Sequence, residues 1–431
     1  MYKNRHIRIF IVLLALISAT GNSQTTFNSP FSLKGIGDLP RVGIPIYSAM
    51  GGITIGIRDK GNVNYINPAS YSIRDSMLFV FNFGVQGKGA SLSGQNTSTK
   101  TFDLNLNHLI FSFPVTRHLG FAFGLVPYSY TGYTIKEKVL KDDPLYNKDV
   151  GQLEYLFRGE GGVTRFVTGA SLELFNHVSI GFNFDYLFGQ INKSHTMNFL
   201  DTPGTFNTTM LERKAIVSDF DYDIGLQYST TLRENNHLVI GMIAGNNKKI
   251  NYSVEQLDYA IATSSDGKMY KDTIAYLKIF NQKFTLPFYI GLGFTFSNDK
   301  WLFGVDYKYQ DWSKAELPYS HDKLTPTHSL CSGVQFIPNP RDFRRYWKIV
   351  RYRMGAHYEN AYFEVNNTPV KDFGISFGVG FPIPLSRSVL NISWESGWRG
   401  SIEKNYVREQ YNIINFGISI NSFWFVKRKY K

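Results

Sequence analysis

"SVLNISWESGW", Ser388 to Trp398, sets Leu390, Ile392, Trp394 and Trp398 against Asn391, Ser393, Glu395 and Gly397. Successive side chains of a strand point to opposite faces, so this two-residue period gives one apolar face and one polar face. "DFGISFGVGFPI" repeats it, with Phe373, Ile375, Phe377, Val379 and Phe381 against Gly374, Ser376, Gly378 and Gly380. So do Phe182, Phe184, Tyr186 and Phe188 against Asn183, Asp185 and Gly189, and Phe220, Tyr222, Ile224 and Leu226 against Asp221, Asp223 and Gln227. The series opens at Met77, Phe79, Phe81, Phe83 and Val85 and closes at Phe416, Ile418, Ile420 and Trp424.

A soluble sandwich also alternates, but its exposed face is rich in Lys, Glu and Thr, whereas the polar face here holds Gly, Ser, Asn and scattered charges. Sixteen per cent of the residues are aromatic, yet mean hydropathy is only -0.20, so apolar and polar residues are interleaved rather than blocked. About fourteen such segments predict an all-β protein, a transmembrane antiparallel β-barrel with apolar residues toward lipid and polar ones toward the lumen. Short connections at "PVTRHLG", "LFNHVS", "LRENNH", "SNDK" and "PIPLSRS" alternate with long polar gaps at 87–100, 136–151, 192–210, 256–272 and 313–325. Such barrels have short periplasmic turns and long outer loops, so the same pattern gives the topology.

The start "MYKNRHIRIFIVLLALISATGNSQ" places Lys3, Arg5 and Arg8 before an apolar run and then small residues. This is the pattern of a cleaved secretory signal, here residues 1–21, and the run is too short for a spanning helix. Cys331 is the only cysteine, so neither a lipid-anchored cysteine after the signal nor an internal disulfide is expected. The expected organisation is a signal peptide at 1–21, a lumenal hatch at 22–75, the barrel at 76–426 and a basic tail at 427–431. Its place is the outer membrane of a diderm (Gram-negative) bacterium.

The hatch follows from size. A barrel of about fourteen strands encloses a lumen that side chains alone do not fill. Residues 22–75 are rich in Gly and Pro, and irregular backbone at membrane depth survives only where protein buries it or a cavity receives it. Ile44, Ile46, Tyr47, Ile53, Ile55 and Ile57 argue against a disordered tail. In "GNVNYINPASYS", Asn67 is suited to bond neighbouring backbone and Pro68 to fix a turn.

"AMGGITIGIRDKGNVNYINPASYS" resembles the N-terminal hatch of FadL-type outer-membrane transporters of long-chain fatty acids and aromatic hydrocarbons, with Asn67, Pro68 and Ala69 as the Asn-Pro-Ala motif. "LGFAFGLVPYSYTGYTI", "GEGGVTRFVTGASLELFNHVSIGFNFDYLFG" and "NFGISINSFWFVKRKYK" resemble a divergent branch of the same family. The resemblance implies a fourteen-stranded barrel, a hatch in its lumen and a ligand route leaving sideways through the wall.

Enzyme chemistry has no footing in the sequence. The nine histidines are scattered, with no HExxH and no GxSxG, and His108, His177 and His357 read as ordinary rim or lumen residues. "GVQGKGAS" misses the phosphate-loop spacing. No enzyme activity, cofactor or metal is expected. Eight charged residues fall on the polar face and are expected in the lumen: Asp185, Asp221, Asp223, Asp306, Lys308, Arg351, Arg353 and Glu395. The net charge of +12 does not indicate nucleic acid, because the compartment is wrong and no binding motif is present. Arg341, Arg344, Arg345 and Lys348 instead cluster in the one long periplasmic turn, "IPNPRDFRRYWK", which suits anionic headgroups or an acidic partner.

Two functions fit these residues. One is passive, energy-independent passage of small hydrophobic molecules past the hatch; the other is a non-transporting accessory subunit of an outer-membrane secretion or assembly complex. Expected partners are outer-membrane lipid, a small hydrophobic ligand in the first case, and an outer-membrane or periplasmic protein in the second. An open lumen with an apolar pocket would favour transport; a charge-filled lumen would favour the accessory role.

Overall fold

The computed structural model describes residues 28–423 apart from 42, 74, 76, 95–96, 202–206, 234, 264–268, 316–321 and 343. The expected signal peptide and the basic tail lie outside these residues.

Alternation produces strands throughout. They are β1 (Leu78–Ser93), β2 (Ser98–Pro114), β3 (Leu119–Val139), β4 (Leu153–Leu174), β5 (Val178–Phe199), β6 (Thr208–Arg233), β7 (Asn236–Gly245) and β8 (Lys248–Thr263). The second half adds β9 (Met269–Leu286), β10 (Tyr289–Ser297), β11 (Trp301–Gln310), β12 (Thr327–Phe336), β13 (Arg351–Val365), β14 (Thr368–Pro382), β15 (Val389–Ser401) and β16 (Val407–Phe423). β1 pairs with β16 and β5 with β6, so the antiparallel ladder closes. β7 runs into β8 across Asn246 and Asn247, and β9 into β10 across Pro287 and Phe288; counting each pair as one bent strand gives a closed fourteen-stranded barrel.

The face assignment holds at side-chain level. On β15, Trp394 is 41% exposed while its neighbour Glu395 is 5% exposed, and the same inside-outside alternation runs along β5, β6, β14 and β16. Stacked rings cover the outside, as in Phe377 with Trp394 and Phe373 with Trp398. These cross-strand aromatic pairs stabilise neighbouring strands where lipid offers no hydrogen bonds.

The long gaps differ from expectation. β4, β5 and β6 continue as strands well past the apolar belt, and much of the gap at 256–272 is the ends of β8 and β9. The belt stops near Phe188 and Phe220; beyond it the apolar residues are buried ones such as Ile191, Val217, Tyr252 and Val254, so the lipid-facing hydrophobic period does not mark these extensions.

Residues 28–73 run inside the cylinder. They form a short bridge at Asp38 to Tyr130 of β3, and they hydrogen-bond inward-facing side chains of strands around the ring, among them β1, β5, β11 and β15. A 3-10 turn occupies Pro68–Ile73. Ile53, Val63 and Tyr71 have no exposed surface, and they share a core in the lumen with wall residues such as Val80, Ile110 and Val126.

Candidate functional site: the lumen and its inner segment

The Asn-Pro-Ala motif is seated first by itself and then by the wall. Asn67 Nδ2 donates to the Ile55 carbonyl at 2.7 Å, and its Oδ1 accepts from the Ala69 amide at 3.1 Å, closing a local turn that Pro68 pre-sets. Asn64 Nδ2 donates to the Thr54 carbonyl at 2.6 Å. From the wall, Asn183 Nδ2 donates to the Tyr65 carbonyl and to Asp223, and Tyr71 donates to Asn183 Oδ1.

The wall has no side chain where the turn touches it. A methyl group built on Gly181 of β5 would lie 2.6 Å from the Pro68 carbonyl oxygen, and one on Gly225 of β6 would lie 2.8 Å from Pro68 Cδ. Glycine is needed here because another backbone comes within contact distance.

Charge fills much of the remaining space. Arg41, in the inner segment, binds Glu395 and His357, with Asp372 at 3.2 Å and the Tyr411 hydroxyl at 2.9 Å. Tyr411 in turn donates to Asp372 at 2.7 Å. Next to this cluster, Arg399 of β15 pairs with Asp38 at 2.7 Å, and Lys88 of β1 pairs with Glu409 at 2.6 Å. On the opposite wall Arg165 reaches Asp185 at 3.1 Å and Asp223 at 3.9 Å, and lies over the Tyr65 ring. Asp306 accepts backbone hydrogens from Thr54 and Ile55 of the inner segment. A buried ion survives only when paired and hydrogen-bonded, so these clusters tie the segment to the wall at defined points.

Of the expected lumen residues, Asp185, Asp223, Asp306, Arg353 and Glu395 are buried. Asp306 and Glu395 hold the inner segment directly, while Asp185 and Asp223 hold it through Arg165 and Asn183. Asp221 lines a cavity with Arg165, Lys308 lies 4.4 Å over the Tyr289 ring, and Arg353 bonds Gln335 and Asn391 within the wall. Arg351 sits beside Arg353 at the short-turn end. The sequence reading missed Arg41, Asp38, Asp372, Arg399 and Tyr411. Asp372 and Arg399 share the inward period of Ser376 and Glu395 and were legible by parity; nothing in the sequence distinguished Arg41. His357, read as ordinary, belongs to the Arg41 cluster.

The cavities left are small. Three near Asp38 to Arg41 and near Arg165 measure about 200, 70 and 130 Å³. One of about 300 Å³ lies toward the long-loop rim between Ile36 and Val217, Tyr252 and Phe284. Ligand pockets begin at about 300 Å³, a volume this last one reaches, and its lining is the more apolar. The cations at its edge are engaged: Lys34 with Asp322 at 2.6 Å, and Lys193 with the Leu33 and Gly35 carbonyls. Among the described residues no group of His, Cys, Asp and Glu is arranged to hold a metal ion.

At the short-turn rim, Arg341, Arg344 and Arg345 are exposed beside exposed Tyr346 and Trp347, and Lys348 pairs with Asp342 at 2.8 Å. That hydrogen bond holds the Asp342 carboxyl below its usual range. Asp75, just before β1, is likewise lowered, first by its hydrogen bond from Lys60 and further by Arg387.

A closed fourteen-stranded wall, lipid-facing aromatic bands and a lumen occupied by the N-terminal segment define a transmembrane β-barrel with the fold of FadL-type barrels. Residues 4–431 match the BamG family model, and the chain belongs to the BamG family. In fold it is similar to the monoaromatic hydrocarbon channel CymD, at 15% identity and a TM-score of 0.60, over 90% of this chain and all of that one. It is also similar to the Pseudomonas putida toluene transporter TodX, at 17% identity and 0.58, over 91% and 100%. A Pseudomonas aeruginosa FadL homologue matches at 12% identity and 0.57, over 90% and 100%. No curated protein matches it in sequence.

Proposed function

We propose that this chain is a plugged outer-membrane barrel acting as a non-transporting accessory subunit of an outer-membrane assembly or secretion complex, with residues 22–75 as the hatch. The observation that carries the proposal is the lumen. Arg41 is bound to Glu395, His357, Asp372 and Tyr411, and opening a conduit past it would strip a buried cation of its partners. The membership in the BamG family points the same way. The exposed basic and aromatic turn at 341–348 supplies a surface for an acidic periplasmic partner.

A second reading keeps the transport named for the fold's relatives, and for this chain it is passive passage of small hydrophobic molecules. The cavity of about 300 Å³ beside Ile36 supports it. Purification of the tagged full chain from its own membranes in mild detergent separates the two. The accessory reading expects a stoichiometric complex containing other outer-membrane proteins; a lone monomer that admits labelled toluene into vesicles overturns it.

A further inference from the structure

The wall is not paired all the way up. Among the described residues β9 pairs with β8 alone, and its other edge, the length of Met269–Leu286, has no strand beside it. This edge stands above the apolar belt: below the breaks at 246–247 and 287–288 the outward residues are Ile240, Met242, Leu292 and Phe294, whereas β9 carries Lys271, Asp272, Lys278 and Lys283 at short intervals, which places it in water.

In water, an unpaired edge with large apolar side chains is a template for another strand. Ile274, Tyr276, Leu277 and Phe280 are 50–63% exposed, far from the stacked rings that lipid covers. A hydrocarbon would cover those side chains but offers nothing to the backbone N–H and C=O groups of an edge that no described strand pairs; an extended polypeptide satisfies both. With Lys278 paired to Glu255 of β8, Lys271 and Lys283 against Asp272 still make a second copy of β9 a poor neighbour, since like charges across a strand pair are destabilising, and they favour an acidic segment.

We propose that the free edge of β9 is an interaction surface on the long-loop side, which receives an extended, acidic segment of another outer-membrane protein by strand addition. The proposal rests on the accessory-subunit reading for the existence of that protein. The test is hydrogen exchange of the full chain in lipid nanodiscs, alone and within the complex purified in mild detergent, together with the variant Lys271→Glu, Lys283→Glu. Strand addition predicts that the outward amides of β9 exchange roughly tenfold or more slowly in the complex than alone, and that the variant folds but recovers the partner at a small fraction of the wild-type level. A complex recovered intact with β9 exchanging as in the lone barrel overturns the edge proposal and leaves the accessory reading standing. Protection already present in the lone barrel and rising with its concentration means a second copy takes the edge, which also overturns it. Recovery of no complex removes both.

Discussion

Adding a single methyl group at Gly181 or Gly225 tests whether the Asn67 turn is wedged against the wall. At Gly181 the new carbon would stand 2.6 Å from the Pro68 carbonyl oxygen and nearer still to the Ala69 nitrogen, against the 3.4 Å at which ordinary contact begins, a shortfall of at least 0.8 Å; at Gly225, with Pro68 Cδ at 2.8 Å and Asn67 Oδ1 nearer, it is at least 0.6 Å. β5 is paired on both sides across this level, so the wall cannot yield and the turn must move. Overpacking of this kind costs about 1–3 kcal/mol per site. The double variant should cost less than the sum, because both methyl groups push on the same turn and the first displacement relieves the second. Gly89→Ala is the control, since its methyl group meets nothing nearer than the Asn412 carbonyl oxygen at 4.0 Å. Urea unfolding of the barrel in lipid vesicles reads the stability, and planar-bilayer current reads the seal. Gly181→Ala and Gly225→Ala should each lower stability by the stated amount and admit intermittent current, with Gly89→Ala unchanged. If all three variants are as stable and as silent as the native chain, the turn is not held against these strands and the account of the lumen is wrong.

Further outcomes follow from the same contacts. Arg41→Met strips Glu395 and Asp372 of their cation and should cost about 3–5 kcal/mol in vesicle unfolding, whereas Arg41→Met with Asp372→Asn and Glu395→Gln should recover much of that loss, because no charge is then left unpaired; equal losses would mean that Arg41 matters only for packing. Phe377→Arg, on the lipid face, should cost roughly 2–4 kcal/mol if it lies near the midplane, and a neutral result in vesicle folding yield would place that face away from lipid. In a Cys331→Ser background, an impermeant thiol reagent on whole cells should label Asp142→Cys and leave Asp342→Cys unlabelled; labelling at Asp342 refutes the topology drawn from the short and long connections.

The barrel was legible because lipid imposes a rule that one sequence can show: large apolar residues at every second position, as from Leu390 to Trp398, with small polar ones between. By the same rule Asp185, Asp223, Asp306, Arg353 and Glu395 fall on the polar face, and they are buried. It failed where lipid ends. In the outer parts of β5, β6 and β8 the apolar residues, Ile191, Val217, Ile250, Tyr252 and Val254, are buried rather than lipid-facing, so the period that marks the belt is absent there and backbone pairing carries the strands on. The partners inside the lumen were hidden for a different reason. Gly181 and Gly225 show only that a side chain is missing, not that Pro68 fills the place, and Arg41 sits in a Gly- and Pro-rich stretch with no period to give its direction. Contacts between a wall and a segment more than a hundred residues away depend on closure of the barrel, which local pattern does not encode.

Depletion of the protein in its own cells, with two quantities followed in the same culture, tests the central claim most directly. One is the fraction of other outer-membrane barrels in the folded, heat-modifiable form; the other is uptake of labelled fatty acid and toluene. The account predicts that folded or secreted outer-membrane proteins fall while uptake per cell is unchanged. Uptake that falls while the other barrels stay folded and secretion continues would contradict it, and would make the cavity beside Ile36 part of a transport route.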